Sequence, residues 1–117
     1  MWYSIYTVGD IDIDQEHANI DFMLSVLGSE SGEPKIAALE HLIDVTIQHF
    51  SNEEAIAKER GYAMTEKHVA KHQQLTKELQ IVKQSLHNPD TALELIPGVL
   101  QDILKSHILE FDRFLMA

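Results

Sequence analysis

Residues 49 to 72 read HFSNEEAIAKERGYAMTEKHVAKH, and the fold turns on the spacing inside that stretch. His49 stands four residues before Glu53 and His68 four before His72, with Gly61 between the two pairs. On an α-helix a step of four residues turns about 400° and rises about 6 Å, so both members of a pair project from nearly the same face. Each pair then grips one object. Imidazole nitrogens and carboxylate oxygens suit zinc, iron or manganese, and a chain without cysteine has no thiolate to offer instead. One such pair on a solvated helix is weak evidence, so the placing of the other histidines decides the matter.

A chain of 117 residues with 44% hydrophobic content has the size of one domain, 1–117, with a modest core. Its formal net charge of -10 argues against nucleic acid and against an anionic membrane surface as partners, because both would repel it. No apolar run approaches a bilayer span. The opening MWYSIYTVGD lacks the basic region and long apolar stretch of a signal peptide, so a cytoplasmic location is expected. Without cysteine there is no disulfide framework and no redox thiol, and oxidation-reduction chemistry has to come from a bound cofactor.

Period 3.6 recurs along the chain in four stripes. The first is Ile13, His17, Ile20, Leu24 and Leu27, closing before Gly28. The second is Leu39, Leu42, Thr46, His49, Glu53 and Ile56, entered at Pro34 and closed by Gly61. The third is His68, His72, Leu75, Leu79, Val82 and Leu86, with Thr65 as N-cap and Asn88-Pro89 as the stop. The fourth is Leu93, Ile96, Leu100, Leu104, His107, Phe111 and Phe114, opened by a capping box at Thr91 and Glu94 and kinked or restarted at Pro97. These spacings predict an all-α fold with helices over about 13–28, 34–60, 65–87 and 91–116. Residues 1–12 form an extended arm whose Trp2, Tyr3 and Tyr6 cover one end of the core. Connections of a few residues favour an antiparallel up-down-up-down four-helix bundle.

That topology makes a demand on the histidines. His17 lies near the start of the first helix, His49 and Glu53 towards the end of the second, His68 and His72 near the start of the third and His107 towards the end of the fourth. In an antiparallel bundle these places share one end, so the side chains converge on one level of the interior. A single histidine on an apolar face is usually a core residue bonded to a carbonyl. Five together, with no compensating cation, would each cost several kcal/mol against a total stability of about 5 to 15 kcal/mol. A metal centre removes the conflict. His41 and His87 fall off the stripes and read as solvated, as do Glu30, Glu40, Glu59, Glu78 and Asp102.

Five imidazoles and a carboxylate exceed the demand of one tetrahedral zinc, which implies two metals. No histidine has a glutamate three residues before it, so the Glu-x-x-His signature of ferritin-like oxidases is missing. A second carboxylate on the fourth helix is Glu110, turned about 60° back from His107, or Asp112, about 140° round, and helical geometry alone does not choose well between them.

At this point the chain resembles the hemerythrin family, and in particular the short single-domain bacteriohemerythrins. Their pattern is a histidine early in the first helix, then HxxxE, HxxxH and a final HxxxxD. Here DQEHANI carries His17, HFSNEE carries His49 and Glu53, HVAKH carries His68 and His72, and HILEFD carries His107 and Asp112. The resemblance implies a non-haem centre of two iron ions, one held by His68, His72 and His107 and the other by His17 and His49. Glu53 and Asp112 bridge them with an oxo or hydroxo group, so the resemblance selects Asp112 over Glu110. It also implies that dioxygen binds at the open position of the two-histidine iron. By helical phase Ile20, Phe50, Leu104 and Ile108 wall that position, as an apolar pocket does in the family. Two departures stand out: Glu16 replaces the usual glutamine before the first histidine, and Ile103 replaces a common tryptophan. Neither is expected to touch a ligand.

The function expected is reversible dioxygen binding, for storage or delivery. The alternative is an oxygen or redox sensor acting through an unidentified signalling or redox partner, or through a fused module. No tyrosine lies on a core stripe and no further acid or base is in phase with the ligands, so enzymatic turnover ranks below binding.

Overall fold

The computed structural model describes residues 8–27, 32–112 and 115. Trp2, Tyr3 and Tyr6 of the expected arm, together with Gly28, Glu30 and Phe114, lie outside them. Four α-helices follow one another: α1 (Ile11–Val26), α2 (Gly32–Arg60), α3 (Glu66–Ser85) and α4 (Ile96–Glu110). A short 3-10 turn, Leu93–Leu95, leads into the last.

Each boundary has a local cause. Asp10 caps α1, its carboxylate accepting from the backbone N–H of Asp12 and Ile13, and Asp14 reaches back to accept from Val8 and Gly9. The sequence reading missed this cap and began the helix two residues late, at Ile13. At the end of α2, Gly61 adopts φ 73°, a left-handed conformation that side chains with a Cβ resist, and this lets Tyr62 N–H bond back to the Ala57 carbonyl at 2.8 Å. Thr65 caps α3 by accepting from His68 N–H.

The fourth helix differs from its expected start at residue 91. Thr91 caps nothing; its hydroxyl donates to the Ser85 carbonyl at 2.7 Å. Pro97 has no N–H to bond back to the preceding turn, so the helix begins where that lack costs nothing, with Pro97 in the first turn of α4.

Neighbouring helices run in opposite directions. Arg60, at the end of α2, pairs with Asp10 and Asp12 at the start of α1, and the Tyr62 hydroxyl donates to the same Asp10 carboxylate. Between α2 and α3, His72 meets Glu54 and Lys83 meets Asp44, so one sequence ascends as the other descends. The result is an all-α four-helix bundle. Ile20, Leu27, Leu39, Leu42, Ile43, Phe50, Leu75, Leu79, Leu86, Leu100, Leu104 and Ile108 form its main apolar core. No helix among the described residues is long and apolar enough to cross a membrane.

Candidate metal centre

Because the helices alternate in direction, the early part of α1 and α3 and the late part of α2 and α4 share one end of the bundle. There His17, His49, Glu53, His68, His72, His107 and Asp112 come together, every one of them buried. Their donor atoms fall into two groups, each within a span of 4.8 Å: Glu53, His68, His72, His107 and Asp112 in one, and His17, His49, Glu53 and Asp112 in the other. The two carboxylates belong to both groups.

Their oxygens divide between the groups. Glu53 turns Oε1 to His68 Nε2 at 3.0 Å and His72 Nε2 at 3.2 Å, and Oε2 to His49 Nε2 at 3.3 Å. Asp112 turns Oδ1 to His68 Nε2 at 2.8 Å and His107 Nε2 at 3.0 Å, and Oδ2 to His17 Nε2 at 3.3 Å. Each carboxylate thus faces three-histidine and two-histidine surroundings at once.

Asp112 lies beyond the helix that carries His107. α4 ends at Glu110, the chain bends at Phe111 with φ -127° and ψ -60°, and Asp112 swings inward while Glu110 stays exposed. An extrapolated helical phase therefore says nothing of Asp112, which is why spacing left the two acids undecided.

The donor chemistry fits a cation. His17 Nε2 lies 3.1 Å from His49 Nε2, and His72 Nε2 lies 2.9 Å from His107 Nε2. Two imidazole lone pairs at that separation repel unless a proton or a metal lies between them. Both Glu53 oxygens and Asp112 Oδ2 are buried without a hydrogen-bond partner of good geometry, a costly state for carboxylates that carry charge. A metal shared by these nitrogens and oxygens satisfies all of them.

Protons take up part of that role in the metal-free protein. Burial pushes the His49 imidazolium towards neutrality, but Glu16 and then Glu53 overcome it and raise its pKa to about 9. His68 is likewise held up at about 9, against burial, by Asp112 and Glu53. Burial works against the Glu53 carboxylate too, yet His49, His68 and His72 bring it down to about 2. Asp112 is lowered well below the usual carboxylate range by His107, His17 and His68, again despite burial. His107 goes the other way, lowered chiefly by burial.

Outside the donor set, two carboxylates hold the far sides of the rings. His49 Nδ1–H donates to Glu16 Oε1 and His72 Nδ1–H donates to Glu54 Oε2, each at 2.7 Å. Glu16 therefore does touch a candidate ligand, contrary to the expectation from sequence. It directly precedes His17 at the edge of the core stripe, about 60° round from Ile13, and only the packing of α1 on α2 brings it to His49. Glu54 was overlooked because the glutamate beside it, Glu53, absorbed the whole signal of the HxxxE motif.

Ile20, Phe50, Leu104 and Ile108, the expected apolar wall, are all buried in the main core. Phe50 stacks on His72 at 4.7 Å between ring centres, with His107 at 5.4 Å and His49 at 5.9 Å, so it leans towards the three-histidine group. Phe111 covers His68 and His107 at 5.2 and 5.5 Å. His41 and His87 are exposed, and Ile103 is half-buried and packs against the main core.

Comparison with known proteins returns a bacteriohemerythrin of Pseudomonas paraeruginosa, 24% identical over 116 residues that cover 96% of this chain and 76% of the relative. No family profile matches the chain. No solved structure matches it either. The resemblance read from the motifs thus extends along nearly the whole chain.

Proposed function

We propose that the chain is a hemerythrin-like protein that binds dioxygen reversibly at a pair of irons. His68, His72 and His107 would hold one iron, His17 and His49 the other, with Glu53 and Asp112 bridging. The observation that carries this is the division of each buried carboxylate between the two histidine groups, an arrangement suited to two ions and wasteful for one. Five imidazoles and two carboxylates, without thiolate, suit iron better than a tetrahedral structural zinc.

Held by these residues, an iron pair would supply the two electrons that reversible dioxygen binding requires. What the chain contributes is the setting. The group containing His17 and His49 offers fewer nitrogens than its partner, which leaves room for a small ligand on that side. Ile20, Leu104 and Ile108 are at most 2% exposed, and with Phe50 they keep water from the centre. A dry apolar wall gives bound dioxygen no outside proton donor, and this favours carriage over consumption. Tyr62, the tyrosine among the described residues, is committed to Asp10 at the start of α1. Cycling the reduced, iron-loaded protein between air and argon tests the proposal: a visible absorption band should appear in air and vanish under argon over repeated cycles. A band that forms once and does not reverse would refute carriage.

A further inference from the structure

The carboxylates behind the histidines differ from surface charge in how completely they are engaged. Glu16 Oε1 accepts from His49 Nδ1–H, and its Oε2 accepts from the Asn52 side-chain amide at 2.7 Å, which fixes the carboxylate in place. Glu54 Oε2 accepts from His72 Nδ1–H. One of these histidines belongs to the two-histidine group and the other to the three-histidine group, so each half of the centre has one such support. Both supports are partly open to solvent, Glu16 at 27% and Glu54 at 38% exposure, and each lines a surface cavity together with the histidine it holds.

We propose that Glu16 and Glu54 are positioning residues, one for each half of the centre, that bias a bound iron pair towards its ferric state. The inference rests on the iron-pair reading above. Three physical effects act in the same direction. Accepting from Nδ1–H fixes the tautomer, so that the Nε2 lone pair of His49 and of His72 points inward. A charged acceptor polarises the ring more than a neutral one and makes Nε2 a stronger donor. A negative charge one ring away favours the metal state of higher positive charge, and partial exposure weakens this effect without abolishing it.

Glu16→Gln and Glu54→Gln separate charge from shape, since glutamine keeps an acceptor oxygen at the same place. Glu110→Gln is the control, removing the same charge from an exposed position at the end of α4, outside the hydrogen-bonded pairs. The iron-loaded proteins are titrated spectroelectrochemically, and iron loss to a chelator is timed. Each of the two test variants should shift the ferric-to-ferrous balance about tenfold towards ferrous, a rise of about 59 mV for a one-electron step, while the control stays at the wild-type potential. Glu16→Ala, which also loses the hydrogen bond, should release iron roughly 10–100 times faster than wild type. A merely structural role would lower the unfolding temperature of the metal-free variants and leave the potential unmoved. Wild-type potentials in both iron-loaded glutamine variants overturn this inference alone, and either variant suffices if the other does not fold. A wild-type protein that takes up no iron pair overturns the functional reading and this inference with it.

Discussion

Raising the pH should weaken the metal-free protein and strengthen the metal-loaded one over the same interval. The perturbation acts on His49, whose pKa rises from 6.5 to about 9 on folding, and on His68, which moves the same way. A base whose folded pKa exceeds its unfolded value contributes stability that is complete below the unfolded value and lost as pH rises through the folded one. For His49 the loss between pH 6.5 and 9 is about 3 kcal/mol, a large share of a typical total. His68 adds to it. His107, lowered by burial, works the other way at the low end: near pH 6 the unfolded chain still takes up a proton there that the folded one does not, a cost that fades as pH rises past the ordinary histidine value. The acids have the opposite sign. Glu53 and Asp112, depressed on folding, contribute stability above the usual carboxylate range that disappears only as pH falls towards about 2. A metal replaces the protons on the Nε2 atoms, so its binding strengthens as pH rises. Urea unfolding at about pH 6 and about pH 9.5, with and without metal, reads both trends. Metal-free protein that is equally stable at the two values would refute the claim that protons and metal compete for the same nitrogens.

Removing a shared carboxylate should cost more than removing its exposed neighbour. Asp112→Ala and Glu53→Ala should lose most bound iron, and Glu110→Ala should retain it, as metal analysis after gel filtration would show. Leu104 is 1% exposed and belongs to the proposed wall, so Leu104→Asn should admit water and hasten irreversible oxidation. A barrier lower by about 1.4 kcal/mol gives roughly tenfold faster decay of the oxygenated absorption, whereas unchanged decay in a folded, iron-loaded variant would remove Leu104 from the wall.

The helical stripes were legible in the sequence because burial follows period 3.6 closely: Ile13, His17 and Ile20 on α1, Leu27 at its C-terminal cap, and His68, His72, Leu75 and Leu79 on α3 are buried as their spacing demands. The convergence of the histidines followed from alternating helix direction alone. What stayed hidden depends on tertiary contact or on irregular backbone. Asp112 sits past the end of α4, where helical phase no longer applies. Glu16 reaches His49 across the interface of two helices, a contact that no spacing along one helix encodes. Thr91 matched a capping box in pattern, but the proline six residues later moved the helix start and left its hydroxyl to the Ser85 carbonyl.

Iron content per chain, determined on protein produced with abundant iron, tests the central claim most directly. Two groups of donors sharing Glu53 and Asp112 predict about two irons per chain. One iron per chain, or zinc that persists in its place, would contradict a two-metal centre.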